Sequence, residues 1–537
     1  MTTARNSTVD AEVLVVGAGF SGLAALYHFR NAGHHVMGVE TNGDVGGAWY
    51  NNRYPGARCD VESHDYSLSM SPEVEQEWTW SERFSDADEI RRYLGFVANR
   101  LDLRRLISFS TTVTGMDWDE TSRSWRVTFS ERDPIRVRYV VMATGPLTSP
   151  IKPQFPGMDA FAGRILHTAE WPREEVDLHG HRVAVIGTGS SGVQAIPIIA
   201  EQAERLYVLQ RTPNFVVPAR NRPITEAEDR AVKATYRERR ATVRTMSSAY
   251  LKELPTQSAF DVSEEERNAR YQRFWDLGGT NITSAFTDLK TSEEANATLA
   301  AFIHGKIREI VRDPEVARKL MPTGYPVGAR RICVGTNYYE TFNRDNVELV
   351  DLLGTESITG FEARGIRTDR RLLEVDDIVL ATGFDAMTGV LTRLDIKGAN
   401  GELLRDAWRG GPVNHLGIAV HGFPNFFYLA GPGSPSVLAN VVTTGEQQVE
   451  WLTELLNDQR DRGFTRIEAE AAAADAWVKH ANELAEGTMF FKAKSWYIGA
   501  NVPGKPRVFM PYAGGFPAYA RRTEEVAAAG YSGFVRS

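Results

Sequence analysis

Cysteine is nearly missing from this chain. The 537 residues include two, Cys59 and Cys333, which excludes a disulfide framework and a CxxC redox pair. It also removes the active-site dithiol that a flavin disulfide reductase needs. No apolar run approaches the ~20 residues of a membrane span. The opening MTTARNSTVDAEV lacks the apolar core of a signal peptide. A cytoplasmic location without membrane contact is the expectation. Positive charge is not in excess: 61 Lys and Arg against 69 Asp and Glu leave a net charge of −8. That excludes the electrostatic footprint of a nucleic-acid partner. Low-complexity segments are absent, and no metal site is expected.

What is present is glycine in a pattern. A chain of this length divides into about two to four domains, and two of its segments look alike. Glu12-VLVV-Gly17-AGFSG runs into LAALYHFRNAG, and Arg182-VAVI-Gly187-TGSSG runs into VQAIPIIAEQA. Each reads as a buried strand, a glycine turn and an amphipathic helix, the first half of a βαβ unit. The spacing is that of a dinucleotide fingerprint, Gly17-x-Gly19-x-x-Gly22 and Gly187-x-Gly189-x-x-Gly192. The first glycine permits the turn, the second admits a pyrophosphate close to backbone, and the third lets helix pack on strand.

The residue closing the second strand of each unit tells the nucleotides apart. Glu40 follows Gly22 at the spacing, about 20 residues, where a carboxylate accepts ribose hydroxyls and repels a 2′-phosphate. Arg211, followed by Thr212, holds the matching place in the second unit. A guanidinium and a hydroxyl suit a 2′-phosphate. The first site is therefore expected to hold FAD and the second NADPH. Arg211 taken alone also reads as a solvated surface arginine.

Between about Thr225 and Met321 the chain turns charged and helix-patterned, with Ser263-EE-Glu266 and Thr291-SE-Glu294 reading as capping boxes. Afterwards Asp377-IVLATG and Phe426-FYLAG return to apolar strands, and Thr444-GEQQVEWLTELL reads as a helix. The expected fold is α/β, two Rossmann-like dinucleotide-binding domains with a helical insertion. The FAD-binding domain takes 1–145 and 384–537, the NADP-binding domain 146–217 and 331–383, and the insertion 218–330.

Narrower patterns then name a chemistry. Phe161-A-Gly163-RIL-His167-TAE-Trp171-Pro172 lies just ahead of the second glycine turn, and Gly46-Gly47-A-Trp49-YNNR-Tyr54-Pro55-Gly56-ARC-Asp60 follows the first. Two ATG segments, Ala143-Thr144-Gly145 and Ala381-Thr382-Gly383, accompany them. Together these resemble the type I Baeyer–Villiger monooxygenases over essentially the whole chain. YPGARCDVES, GPGSPSVLAN and SWYIGANVPGKPRVFMP are similar to the phenylacetone and steroid monooxygenase branch. The resemblance implies an oxidoreductase that spends NADPH and O2 to convert a ketone into an ester or lactone through a C4a-peroxyflavin. The partners are then a small-molecule ketone and O2. A flavin monooxygenase acting mainly on N or S centres is the rival reading.

The resemblance also implies roles. It places the catalytic arginine at Arg331 and its partner at Asp60, which also lies on the cofactor. Arg330 stands where the family usually has lysine, beside the NADPH 2′-phosphate. Trp49 falls at the flavin, and Trp496 matches a tryptophan that reaches the nicotinamide. Leu147, Cys333, Val437, Leu438 and Ala439 are the candidate substrate pocket. A permanently protonated arginine suits a reaction that must hold an anionic peroxide. His167, by itself, reads as a hydrogen-bonded core histidine and is not assigned as a base.

Overall fold

The computed structural model describes residues 9–537; the polar N-terminus read above lies largely outside them. Two parallel-rich sheets organise the chain. In the eight-stranded sheet, Ala11–Val16 lies between Val36–Val39 and Ile135–Met142. Asp395–Lys397 and Phe426–Tyr428 join that sheet from far along the sequence. In the five-stranded sheet, Arg182–Ile186 lies between Arg205–Gln210 and Asp377–Leu380, with Val347–Asp351 and Arg164–His167 at the edges. All its pairings are parallel. Such strands are covered by helices on both faces, so they read as unbroken runs of β-branched residues. VLVV and VAVI are that signal, and Val13, Leu14, Val15, Val183, Ala184 and Val185 are fully buried.

The fold is thus α/β with two Rossmann-like units. Between Pro218 and Cys333 the described chain is helical and contains no strand. The helix Glu264–Leu277 starts on the Ser263 and Glu266 capping box read from the sequence. The other expected box is corrected: the helix Glu293–Ile310 is capped by Ser292 and not by Thr291. Ser292 accepts from the Ala295 amide at 3.2 Å, while its own hydroxyl turns to Glu294. The cap is therefore one residue later and not reciprocal.

Candidate active site

Both glycine turns are built on the same contacts. Gly17 and Gly187 have φ of 107° and 111°, a region closed to other residues by their Cβ. Each also abuts the alanine of an ATG segment. A Cβ on Gly17 would meet the Ala143 carbonyl oxygen at 2.6 Å, and one on Gly187 the Ala381 oxygen at 2.4 Å. Added to Gly22 or Gly192, a Cβ would strike the carbonyl of the first glycine at 1.9 or 2.2 Å. The helices Phe20–Asn31 and Ser190–Gln202 both begin without a side-chain cap. Their first amides are left without a side-chain acceptor, as a phosphate site requires.

The residues that tell the nucleotides apart differ in setting. Glu40 is buried beside the first turn, where Oε2 accepts the Ala18 amide at 2.7 Å and Oε1 the Asn42 amide at 2.9 Å. Burial raises its carboxyl pKa against those bonds. A carboxylate accepts about four hydrogen bonds, so capacity toward ribose hydroxyls is retained. Arg211 is exposed at the end of its strand, with Thr212 next to it half-buried. Arg330 lies 4.7 Å over the Tyr325 ring, and its Nε is buried without a partner among the described residues. Burial first, then the charge of Arg211, holds the Arg330 guanidinium below the usual arginine value. Two cations that repel each other, one with an orphaned N–H, fit a bound phosphate.

Arg331 and Asp60, far apart in sequence, meet face to face. Nε of Arg331 donates to Asp60 Oδ2 at 2.9 Å, and Nη2 donates to Oδ1 at 2.7 Å. Nη1 donates to the Val437 carbonyl at 2.8 Å. Burial lowers the Arg331 pKa, but the Asp60 charge beside it raises it further, so the net shift is upward and the cation is permanent. The segment carrying Asp60 is stapled to the second nucleotide unit. Tyr54 donates to Gln194 Oε1 at 2.8 Å, and Gln194 Nε2 donates to the Arg58 carbonyl at 2.9 Å. Two residues that sequence reasoning missed also face the pair. The Tyr497 phenol is pushed up to about 12 by burial, with Arg331 opposing, and Tyr250 is raised in the same way. Adjacency to Trp496 in SWYIGAN was the one signal for Tyr497.

Leu147, Val437, Leu438 and Trp496 share one apolar cluster with Tyr497, Phe490 and Phe509, and Ala439 ends the short turn after Leu438. Cys333 sits apart from that cluster. It is buried in the core beneath the second glycine turn, where Ser190 Oγ donates to its Sγ at 3.6 Å and burial lifts the thiol to about 11. Trp49 donates its indole N–H to Tyr66 Oη at 3.1 Å, which leaves its ring as the contact surface. In the fingerprint, Phe161 packs on Phe361 and Gly163 lies against the Asp376 carbonyl. Trp171 is buried in the second core, with Pro172 beside it. His167 Nδ1 accepts the Ala169 amide at 3.0 Å, so Nε2 carries the proton toward Ile151 O and Thr382 Oγ1. Burial lowers its pKa, with the Ile151 carbonyl opposing. It joins the fingerprint to the second ATG segment.

Comparison with known proteins decides the family. The chain is 40% identical over 531 residues to a Baeyer–Villiger monooxygenase of Pseudooceanicola batsensis, covering 98% of this chain and 96% of that protein. The chain belongs to the Baeyer–Villiger monooxygenase family. A solved structure of oxidised steroid monooxygenase bound to NADP superposes with a TM-score of 0.94 at 48% identity, covering 98% of this chain and 99% of that one. A complex of OTEMO with FAD and NADP gives 0.96 at 38% identity, covering 99% and 100%. The family model described as pyridine nucleotide-disulphide oxidoreductase matches residues 11–248. This monooxygenase lacks the dithiol in that description, because Cys59 and Cys333 are both buried and free. Among the described residues no helix is long and apolar enough to cross a membrane, and no cluster of metal-ligating side chains occurs.

Proposed function

We propose that this monooxygenase inserts one oxygen atom from O2 beside a ketone carbonyl, forming an ester or lactone and consuming NADPH, with FAD as its resident cofactor. The observation that carries the reading is the Arg331–Asp60 pair, joined to the Val437 backbone between two intact dinucleotide turns. When bound, FAD supplies the reduced ring that activates O2, and NADPH supplies its hydride. The first turn, Gly17, Gly19 and Gly22, with Glu40 and Trp49, holds FAD. The second, Gly187, Gly189 and Gly192, holds NADPH, with Arg211, Thr212 and Arg330 on its 2′-phosphate. The division at 145, 217, 330 and 383 is the matching assignment of domains.

Arg331 has five N–H groups in a planar fork. Asp60 takes Nε and Nη2, the Val437 carbonyl takes one N–H of Nη1, and the other N–H of Nη1 is bonded to neither of them. That N–H is the donor for an anionic oxygen developing at the reacting centre. Asp60 fixes the guanidinium in orientation before the substrate arrives, so little reorganisation is needed during reaction. Leu147, Val437, Leu438, Ala439 and Trp496 wall the centre and exclude water, which strengthens the charge. The deciding experiment is a panel of ketones, amines and sulfides offered to the FAD-loaded protein with NADPH, products identified by mass. Esters or lactones one oxygen heavier than the ketone are expected. Oxygenated amines or sulfides with every ketone returned unchanged would overturn the reading.

A further inference from the structure

Lys505 is a charged side chain turned inward. Its side chain is 13% exposed and that of its partner Asp385 16%. Lys505 Nζ donates to Asp385 Oδ1 at 2.6 Å and to the Ala386 carbonyl at 2.8 Å. Asn501, four residues earlier, donates Nδ2 to the Phe384 carbonyl at 2.7 Å. Three bonds thus fasten the segment 495–507 to three consecutive residues. Gly389 makes room for the pair, since a Cβ there would meet the Asp385 carboxyl carbon at 2.7 Å.

Both sides of this tie are themselves fixed. Residues 383–387 run antiparallel to 146–151, with the Ile151 amide donating to the Gly383 carbonyl at 2.9 Å, Asp385 to Ser149 at 2.8 Å and Met387 to Pro146 at 2.8 Å. This ribbon follows the two ATG segments and carries Leu147. Thr382 Oγ1 and His167 Nε2 both reach the Ile151 carbonyl, which anchors the ribbon to the fingerprint. On the other side, 495–507 folds on itself about Gly499, whose φ is 68°. A Cβ on Gly499 would meet the Pro506 carbonyl oxygen at 2.9 Å and Lys505 Cγ at 3.2 Å, and Arg507 Nη1 donates to the Gly499 carbonyl. Lys505 therefore moves with Trp496 and Tyr497. Those two rings share one apolar cluster with Ala386, Met387 and Val437, and the Val437 carbonyl holds Arg331.

A buried ion pair adds little net stability over an apolar pair, because both charges give up water. What it supplies is register, since displacing either partner leaves a charge uncompensated. We propose that Lys505 and Asp385 are positioning residues for the oxygenation, setting where Trp496 and Tyr497 stand against Arg331 by fixing their segment to the ribbon between the two nucleotide units. Neither touches the reacting atoms. On the ketone-oxygenating reading above, on which this rests, a loosened tie opens the apolar wall to water. NADPH and a proton then reduce O2 to hydrogen peroxide, and no oxygen is left for the ketone.

The test compares Lys505→Met, Asp385→Asn, their double variant and Lys505→Arg with the unaltered FAD-loaded protein. Peroxide formed per NADPH consumed is measured with a ketone that the unaltered protein converts, and deuterium uptake at the amides of 496–505 with NADP bound. FAD content and Tm are measured beside them. Each of the two single neutralising variants should raise the peroxide ratio roughly three- to tenfold and speed uptake about tenfold. FAD content should hold. The double variant should be no worse than either single one, because one contact is broken in all three. Lys505→Arg keeps a cation for Asp385 and should stay near the unaltered protein in both readings. A protein that is merely less folded loses activity without a change in the peroxide ratio. A ratio and an uptake unmoved by the single variants, or additive effects in the double variant, overturn the proposal. So does an ester rate that falls only in step with FAD content. If uptake obeys the pair but no ketone gains oxygen even in the unaltered protein, the tie stands and the ketone reading fails.

Discussion

The two nucleotide turns share a sequence pattern and a backbone, yet they differ in how far the protein closes over them. Gly19 is covered: a Cβ there would sit 3.3 Å from the Gly47 Cα, because the Gly46-Gly47 loop folds back on the turn. Gly189 faces open space, with nothing within 4 Å of an added Cβ. Glu40 is buried and hydrogen-bonded in place, whereas Arg211 is exposed. On the assignment proposed above, the covered turn keeps its cofactor resident and the open one lets its coenzyme arrive and leave. Identical fingerprints thus encode different residence, and the difference lies in what packs around them.

The largest effect should come from filling the turns. In Gly19→Val the side chain would drive into Gly47, so the purified protein should be colourless. Gly189→Val has room within the protein and should stay yellow, but NADPH should no longer reduce its flavin efficiently because the pyrophosphate cannot approach the backbone. Absorbance after desalting and stopped-flow reduction read the two separately, and the opposite pattern of colour would exchange the sites. Next in size is Arg331→Ala. Loss of a preorganised charge at the reacting centre costs about 3–4 kcal/mol, a factor of roughly 10² to 10³ in ester formation. NADPH oxidation should continue, its electrons leaving as hydrogen peroxide. Asp60→Ala should be milder and should slow both half-reactions, since Asp60 acts by placing Arg331. Ester formation by Arg331→Ala near the normal rate would move the catalytic charge elsewhere, with Arg330 the next residue to replace.

Arg211→Ala tests the open site alone. Losing one charged contact to a 2′-phosphate costs about 1.5 kcal/mol at an exposed position, or roughly tenfold in NADPH affinity. NADH, which has no such phosphate, should bind as before. Equal weakening of both coenzymes would remove Arg211 from the phosphate site.

The turns were legible in the sequence because glycine and β-branched runs carry local instructions: a positive φ at Gly17 and Gly187, and strands buried on both faces. Glu40 was legible by its distance from Gly22. The meeting of Arg331 with Asp60 was not, except through resemblance, since it spans 271 positions and depends on how two units dock. Tyr250 and Tyr497 lay in segments without a diagnostic period, and their importance comes only from what they face. The misplaced cap at Thr291 has a local reason. Thr291 and Ser292 offer two hydroxyls in series, and the extended backbone of Ser292, φ −100° and ψ 123°, selects the second.

The smallest effect concerns the staple between the resident and the open site. If the two turns acted as independent binding units, the Tyr54–Gln194 bond would affect neither activity nor affinity. The structure instead makes it one of three bonds by which Gln194 ties the Asp60 segment to the helix of the second turn. In Tyr54→Phe the ring stays buried and only the hydroxyl is lost, while Gln194 keeps its bond to the Arg58 carbonyl at 2.9 Å. The loss should cost about 1 kcal/mol, spent on the relative placement of the two units and not on either site. FAD retention and NADPH affinity should therefore hold, and flavin reduction at saturating NADPH should slow by roughly fivefold. Gln194→Leu removes all three bonds that Gln194 makes to Tyr54 and Arg58 and strands the buried Tyr54 hydroxyl, so it should slow reduction further. In a double-mutant cycle the two changes should be non-additive, because they break one shared contact. Full additivity, or a fall in NADPH affinity without a change in the reduction rate, would make the bond a local packing feature and leave the docking of the two units to other contacts.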